Sequence, residues 1–361
     1  MDQGLLISGP RGRRRIHEPW GIKMSSFSAW AAHAAGGQFE AYEYYAGTLG
    51  ADEVEVAIEH CGICHSDLSM LENAWGITHY PLIPGHEAMG RVVALGEHAS
   101  GLTIGQRVGV GWNSSSCMHC HTCLDGDQHL CVSAGKTIVG RHGAFANRVR
   151  VHWMWAIPIP DALASSDVGP LLCGGITVFY PLLHFNVMPT QRVGMVGIGG
   201  LGHLALKFLR AWGCEVTAFS SSESKHAEAL QLGAHRVVSS LDKASMRDIR
   251  GSLDLILNTV NAPLNWDALM STLAPKGRLH FVGSALESRP IPPLKLIQKQ
   301  LEISGSPTGP RGAIDSMLKF AARHQISPQI ERFPMSRVND AMEHLRTGKA
   351  RYRIVLDADF A

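Results

Sequence analysis

The chain has 361 residues, 45% hydrophobic and 18% charged, enough for two domains and a substantial core and too apolar for a disordered or fibrous protein. Its 33 Lys+Arg and 31 Asp+Glu leave a net charge of +2, too near balance to suggest a nucleic-acid or membrane surface. No apolar run approaches the roughly 18–20 residues that a membrane helix requires.

Residues 1–23 carry RGRRR with no apolar stretch after it, so they do not form a secretory or twin-arginine signal. Met24 reads as a natural start, and the preceding tail is expected to be disordered. The expected compartment is a reducing cytoplasm, where clustered thiols favour metal over disulfide. From about residue 27 to 60 the pattern is strand-like, and VEVAIEHCGIC alternates apolar and polar residues before a turn. PLIPG is a loop that leads into GHEAMGRVVALG, a further strand; GQRVGVGW, FANRVRV and WMWAIPIP continue the β-rich character. Near residue 173 the texture changes. RVGMVGIGGLGHLALKFLRAWG reads as a buried strand, a glycine turn and a helix, and EVTAFSS, HRVVSS, LDLILNTV, GRLHFVG and LEISGS as short strands with helices between them. This alternation predicts an α/β, doubly wound parallel sheet. RGAIDSMLKFAARHQ reads as one more helix, and ARYRIVLDADF closes the chain as a strand.

Four of the eight cysteines, Cys117, Cys120, Cys123 and Cys131, fall within fifteen residues. Four thiolates at this spacing can close a tetrahedron around zinc with no open position, a structural site; a redox pair with two bystanders and an iron–sulfur cluster are the alternatives. Cys64, His86, Glu87 and Cys173 are more scattered. One imidazole and two thiolates would leave zinc a fourth position for water, carboxylate or substrate oxygen, although lone cysteines such as Cys61 and Cys214 are ordinarily small buried hydrophobes. The turn Gly197, Ile198, Gly199, Gly200, Leu201, Gly202 follows a strand and opens a helix, the context that dinucleotide binding requires. The next strand ends in Ser220, Ser221 and Ser222, with Lys225 following, where an NAD enzyme would place a carboxylate. Hydroxyls and an ammonium favour a 2′-phosphate, hence NADP(H).

With these motifs in order, the chain resembles the zinc-containing medium-chain alcohol dehydrogenases, and most closely the NADPH-dependent aldehyde reductases of the cinnamyl-alcohol-dehydrogenase-like branch. The resemblance runs from about Phe27 to Phe360 and rests on CGICHSDLSM, YPLIPGHEAMGRVVALG, the four-cysteine loop, GPLLCGGITVFYPL, GIGGLGHLA, VTAFSSSESK and ARYRIVL. It implies a GroES-like, mostly β catalytic domain (24–172 and 311–361) and a Rossmann NADP-binding domain (173–310). It implies two zinc ions per chain: a structural one, and a catalytic one on Cys64, His86 and Cys173 with Glu87 as an alternating or supporting carboxylate. Asp67 would orient the His86 ring, and Ser66 would pass a proton to the substrate oxygen. Thr177, Thr259 and Gly283 would contact the dinucleotide. The implied reaction is hydride transfer from NADPH to an aldehyde, and the implied assembly a homodimer. Two departures stand out. Ser69 takes the place where many relatives carry a relay histidine, and Trp75 and Trp112 replace smaller pocket residues of the plant lignin enzymes. An NAD-linked alcohol or polyol dehydrogenase, and a non-catalytic relative that binds NADPH and zinc, are the competing readings.

Overall fold

Two sheets organise the residues that the computed structural model describes, 26–261, 264–283 and 293–360. The tail of residues 1–23 lies outside them. The first sheet has seven strands, and its centre is Glu53–Ile63. On one side that strand pairs with Ala88–Leu95, which leads through Arg107–Val110 to Ile157–Pro158; on the other it pairs with Arg353–Asp357, with Ile330–Pro334 beyond. Arg148–His152 also pairs with it. The last strand of the chain is therefore hydrogen-bonded into the lobe built by the first half, bringing Arg353 beside residues near 60.

A bulge in the central strand aims it at the functional residues. Val54, Val56 and Ile58 are buried on even positions, but the register against Ala88–Leu95 slips between Ile58 and His60, and Cys61 and Ile63 are buried on odd ones. One extra residue switches side-chain parity. It turns the strand end, and Cys64 after it, into the interior.

The second sheet has six parallel strands in the order Arg236–Ser239, Glu215–Ser220, Arg192–Val196, Leu253–Asn258, Leu273–Phe281, Glu302–Gly305. Both faces are covered: Leu255 and Leu257 enter one core, and Ile256 between them enters another. Strand order reverses between Arg192–Val196 and Leu253–Asn258, the switch point at which such sheets bind ligands beyond their carboxyl ends.

Two sequence expectations need correction. WMWAIPIP is not one strand: Trp153–Trp155 is a 3₁₀ turn, and only Ile157–Pro158 pairs. Pro158 and Pro160 lack the N–H groups that a longer ladder needs. Residues 165–184 form one helical run in three segments, Ser165–Pro170, a π-helical Leu171–Gly175, and Ile176–His184. Pro170, Gly174, Gly175 and Pro181 hide it in the sequence. At 20 residues and a mean hydropathy of 1.3, this run also meets the length and apolarity of a membrane span, but it is 78% buried inside the protein and serves as a core helix.

The glycine turn shows how tightly strand and helix approach. A Cβ on Gly202 would lie 1.8 Å from the Gly197 carbonyl oxygen, whereas one on Gly199 would meet nothing within 4 Å. Gly202→Ala is expected to destabilise the protein by about 1–3 kcal/mol and Gly199→Ala to leave the thermal midpoint near the parent value; thermal unfolding of both variants checks the contrast.

Candidate metal and dinucleotide site

Cys64 ends the bulged strand and caps the helix His65–Leu71, whose third residue is Asp67. The Asp67 side chain is fully buried and accepts three hydrogen bonds. Its Oδ2 takes one from the Cys64 amide at 2.9 Å; its Oδ1 takes one from the Gly85 amide at 2.9 Å and meets His86 Nδ1 at 3.0 Å. One carboxylate thereby fixes the Cys64 backbone, the PGHE loop and the His86 ring, leaving Nε2 to face inward. Cys173 arrives from the π-helical segment, a local widening found often at functional sites.

Cys64, His86, Glu87 and Cys173 converge, with their ligand atoms all within 4.8 Å of one another. Cys173 Sγ lies 3.3 Å from His86 Nε2 and 3.9 Å from Cys64 Sγ. A tetrahedral zinc with bonds near 2.3 Å to sulfur and 2.05 Å to nitrogen needs ligand atoms about 3.6–3.8 Å apart. The donor set fits that ion.

Glu87 stands beside the three donors. Its Oε1 pairs with the Arg353 guanidinium and lies 4.0 Å from His86 Nε2, while its Oε2 is buried with no hydrogen-bond partner among the described residues. A Cβ on Gly62 would sit 2.2 Å from Glu87 Oε2, and one on Gly169 would sit 2.1 Å from the Glu87 carbonyl, so one bare backbone admits the side chain of this residue and the other its main chain. Sequence reasoning missed Arg353. The available signal was a lone arginine opening the apolar run RIVL at the chain's end.

The electrostatics follow from this crowding. Hydrogen bonding with Cys173 holds the Cys64 thiol well below the ordinary range against burial, aided by His86 and Arg353. Cys173 is pushed well above it, as the partner that keeps its proton. Burial pulls His86 down, but Asp67 and Cys64 outweigh it and raise the imidazole well above its usual value. Burial pushes the Glu87 carboxyl up to about 7, although the Arg353 charge draws it down. A divalent cation on these donors would release the protons that they otherwise share.

Ser66 Oγ lies 3.7 Å from Cys64 Sγ, half-buried at the edge of the cluster. Trp112 meets the His86 ring edge-on at 5.1 Å, and Trp75 meets Trp112 at 6.0 Å. Both tryptophans are half-buried and form a wall beside the donors. Ser69 is half-buried and His65 exposed on the same helix.

Cys117, Cys120, Cys123 and Cys131 form the second cluster among the described residues. Their closest sulfur pairs, Cys117–Cys131, Cys117–Cys123 and Cys120–Cys131, are separated by 3.6, 3.9 and 3.9 Å. These match the edges of about 3.8 Å that a closed Cys₄ zinc site requires.

At the dinucleotide turn, Gly197 has φ +93°, and a Cβ there would strike Val260 and Thr259. The Thr259 hydroxyl donates to the Val196 carbonyl at 3.0 Å, tying the two switch-point strands together. A Cβ on Gly283 would meet the Thr259 carbonyl at 2.8 Å. Ile198 is buried, Leu201 precedes the helix Gly202–Trp212, and Thr177 is buried in the helix Ile176–His184. The serines divide. Ser220 is buried, donating to the Ser222 carbonyl and accepting from the Ser222 amide, so it shapes the bend. Ser221 is exposed, Ser222 bonds Ser224, and Lys225 Nζ donates to the Ile198 carbonyl at 3.4 Å, which brings its charge to the glycine turn. The metal cluster and this turn are one side chain apart: a Cβ on Gly200 would lie 2.9 Å from Arg353 Nη1.

Comparison with known proteins agrees with this geometry. Residues 50–161 match the alcohol dehydrogenase GroES-like domain and residues 200–323 the zinc-binding dehydrogenase family. The chain is 48% identical over 328 residues to aldehyde reductase AdhA of Synechocystis sp., covering 91% of this chain and 98% of that one. Its fold matches a cinnamyl alcohol dehydrogenase of Sorghum bicolor with a TM-score of 0.88 at 34% identity, over 92% and 98% of the two chains. It matches the CAD of Helicobacter pylori, complexed with NADP(H), with a TM-score of 0.85 at 28% identity, again over 92% and 98%.

Because Asp67 alone orients His86 and the Cys64 backbone, Asp67→Asn is expected to weaken zinc affinity at the open site about 10- to 100-fold. Chelator competition on the purified variant measures this, with zinc at the four-cysteine cluster as the internal reference.

Proposed function

We propose the following activity for a chain that belongs to the zinc-containing medium-chain alcohol dehydrogenases, in their cinnamyl-alcohol-dehydrogenase-like branch: it reduces aldehydes to primary alcohols with NADPH, reversibly. The observation that carries this reading is a three-donor metal cluster with its carboxylate drawn aside by Arg353, next to a dinucleotide turn whose neighbouring strand ends without an acid. The similarity to an aldehyde reductase supports the substrate class, and that to an NADP(H) complex supports the cofactor.

Cys64, His86 and Cys173 would hold the catalytic zinc, and Gly197 to Gly202, Thr177, Thr259, Gly283, Ser221, Ser222 and Lys225 would hold NADPH, with Ser220 shaping the bend. When bound, zinc supplies Lewis acidity toward a carbonyl oxygen and NADPH supplies the hydride. The chain's own residues do the rest. Asp67 keeps His86 in the tautomer whose Nε2 is free to ligate. Ser66 Oγ holds a proton at the cluster's edge that can pass to the substrate oxygen. Trp112 and Trp75 limit the width of the space beside the donors and exclude water from it. The four-cysteine cluster would hold a structural zinc that braces its loop in a reducing compartment.

The division into 24–172 with 311–361 and 173–310 is part of this reading, supported by the strand membership of the two sheets. The helical run 165–184 crosses that boundary and carries Cys173 from one lobe toward the other. We also propose a homodimer and a cytoplasmic location, on the family resemblance and on a composition in which all eight cysteines are free thiols.

Two experiments test the reading. Purified protein is expected to contain two zinc ions per chain and to oxidise NADPH with a panel of linear, branched and aromatic aldehydes. Cys64→Ala is expected to carry one zinc, to lose turnover by at least a thousandfold (about 4 kcal/mol of transition-state stabilisation) and still to bind NADPH. A variant that reduces aldehydes at near-parental rates would remove the metal assignment. Ser222→Asp places a carboxylate where the 2′-phosphate is expected, so NADPH affinity should fall about tenfold or more while NADH affinity holds or improves; fluorescence titration with both cofactors reads the ratio.

A further inference from the structure

We propose that His203 is a positioning residue through which dinucleotide binding at the glycine turn and metal binding at Cys64, His86 and Cys173 are linked. The inference rests on the reading that both ligands bind at these sites, and it concerns a side chain that contacts neither the metal donors nor the serine pocket.

His203 follows the glycine turn, inside the first turn of the helix Gly202–Trp212, and is fully buried. Both ring nitrogens are engaged by backbone, on opposite sides. Nδ1 meets the Gly199 carbonyl at 3.1 Å, so it carries the proton and donates. Nε2 then accepts from the Gln329 amide at 3.2 Å. The face of the ring lies on Tyr352, with centroids 4.9 Å apart and planes 14° apart. Burial holds the imidazole down to about 3, so it remains neutral and keeps this one-donor, one-acceptor pattern throughout the physiological range.

Gln329 is the junction. Its carbonyl accepts from the amides of both Tyr352 and Arg353, at 3.0 Å each. Arg353 is buried, and its guanidinium pairs with Glu87 Oε1. Hydrogen bonds and the covalent links between them therefore connect the Gly199 carbonyl, through the His203 ring, the backbone of Gln329 and the backbone and side chain of Arg353, to the carboxylate beside the metal donors. One helical turn further along, Lys207 Nζ donates to the Ser327 carbonyl at 2.8 Å. Two residues on one face of the dinucleotide helix, four apart, thus clasp the segment on either side of Pro328. That segment leads directly into the strand Ile330–Pro334, which pairs with Arg353–Asp357.

Coupling along this chain of contacts is measured by a thermodynamic cycle. A dinucleotide that orders the Gly199 peptide favours one position of His203, hence of Gln329 and Arg353, and hence of Glu87. Linkage makes the effect reciprocal: NADPH must change zinc affinity by the same factor as zinc changes NADPH affinity.

The test uses the full-length protein. Zinc affinity at the open site is measured by equilibrium competition with a chromogenic chelator, with and without saturating NADPH, and NADPH affinity by fluorescence with the open site zinc-loaded and zinc-free. The parent is expected to show mutual tightening of about fivefold or more. In His203→Leu both ligands should still bind, and the factor should fall to within about twofold of one. His203→Asn can keep the bond to Gly199 but is too short for Gln329, so it should lose the factor as well; it serves if the leucine variant does not fold. A histidine that only packs would lower the thermal midpoint and leave the linkage factor at its parental value, which would overturn the inference. So would a parent that binds both ligands independently. A parent that fails to bind zinc or NADPH at all refutes the proposed function, and this inference with it.

Discussion

Asp67 accepts hydrogen bonds from the Cys64 amide, the Gly85 amide and His86 Nδ1, and the arrangement of the metal cluster descends from that triple contact. A buried carboxylate is costly unless it is satisfied, and hydrogen bonds to a charged group contribute about 1.5–3 kcal/mol each when they are. Satisfying Asp67 therefore requires the strand end, the PGHE loop and the imidazole to take one mutual arrangement. The bulge at residues 58–60 serves the same end, because it turns the strand inward just before Cys64. Cys173 needs no such brace: it is carried on a helical run that is itself core.

The second constraint is closeness of backbone. Gly62 and Gly169 leave room for Glu87, Gly202 lets its helix close on Gly197, and Gly200 lies under Arg353. Each of these places a polar group of one element against the bare main chain of another. The consequence is that the carboxylate of Glu87, more than a hundred residues from the dinucleotide turn in sequence, is separated from it in space by a single guanidinium.

How much of this is legible in the sequence depends on how local the signal is. The four-cysteine cluster and the glycine turn are short, self-contained patterns, and the structure brings their residues together as the spacing implies. Cys64, His86 and Cys173 are scattered over 110 positions, and spacing alone leaves lone cysteines open to a bland reading; the resemblance to a family is what groups them. The helical run 165–184 is hidden because its glycines and prolines read as breakers, yet Pro170, Gly174, Gly175 and Pro181 are all buried within it. Ser220, which the sequence offers as a ligand group, has its hydroxyl bonded to its own loop, since a strand end that bends at once must satisfy its backbone locally. Arg353 shows in sequence only as an arginine heading an apolar run, and Gln329 not at all, because what matters about them is contact with residues 87 and 203, reached only when the last strand joins the first sheet.

Charge completes the picture. Two thiolates offset a divalent ion, and the Arg353 guanidinium offsets Glu87, so the interior of the cluster is balanced when loaded. An anionic dinucleotide bound at the glycine turn would meet the amides at the start of Gly202–Trp212 and the Lys225 ammonium, which is held at Ile198 by its own hydrogen bond. With the resident charges matched in pairs, the negative charge that develops on a substrate oxygen during reduction is the one that the site has not already neutralised. The space beside the donors is walled by the rings of Trp112 and Trp75, and apolar walls of this kind increase the effect of every fixed charge. A pocket balanced in this way binds a neutral aldehyde without strong attraction and favours the transition state selectively, which is the condition under which binding energy becomes rate.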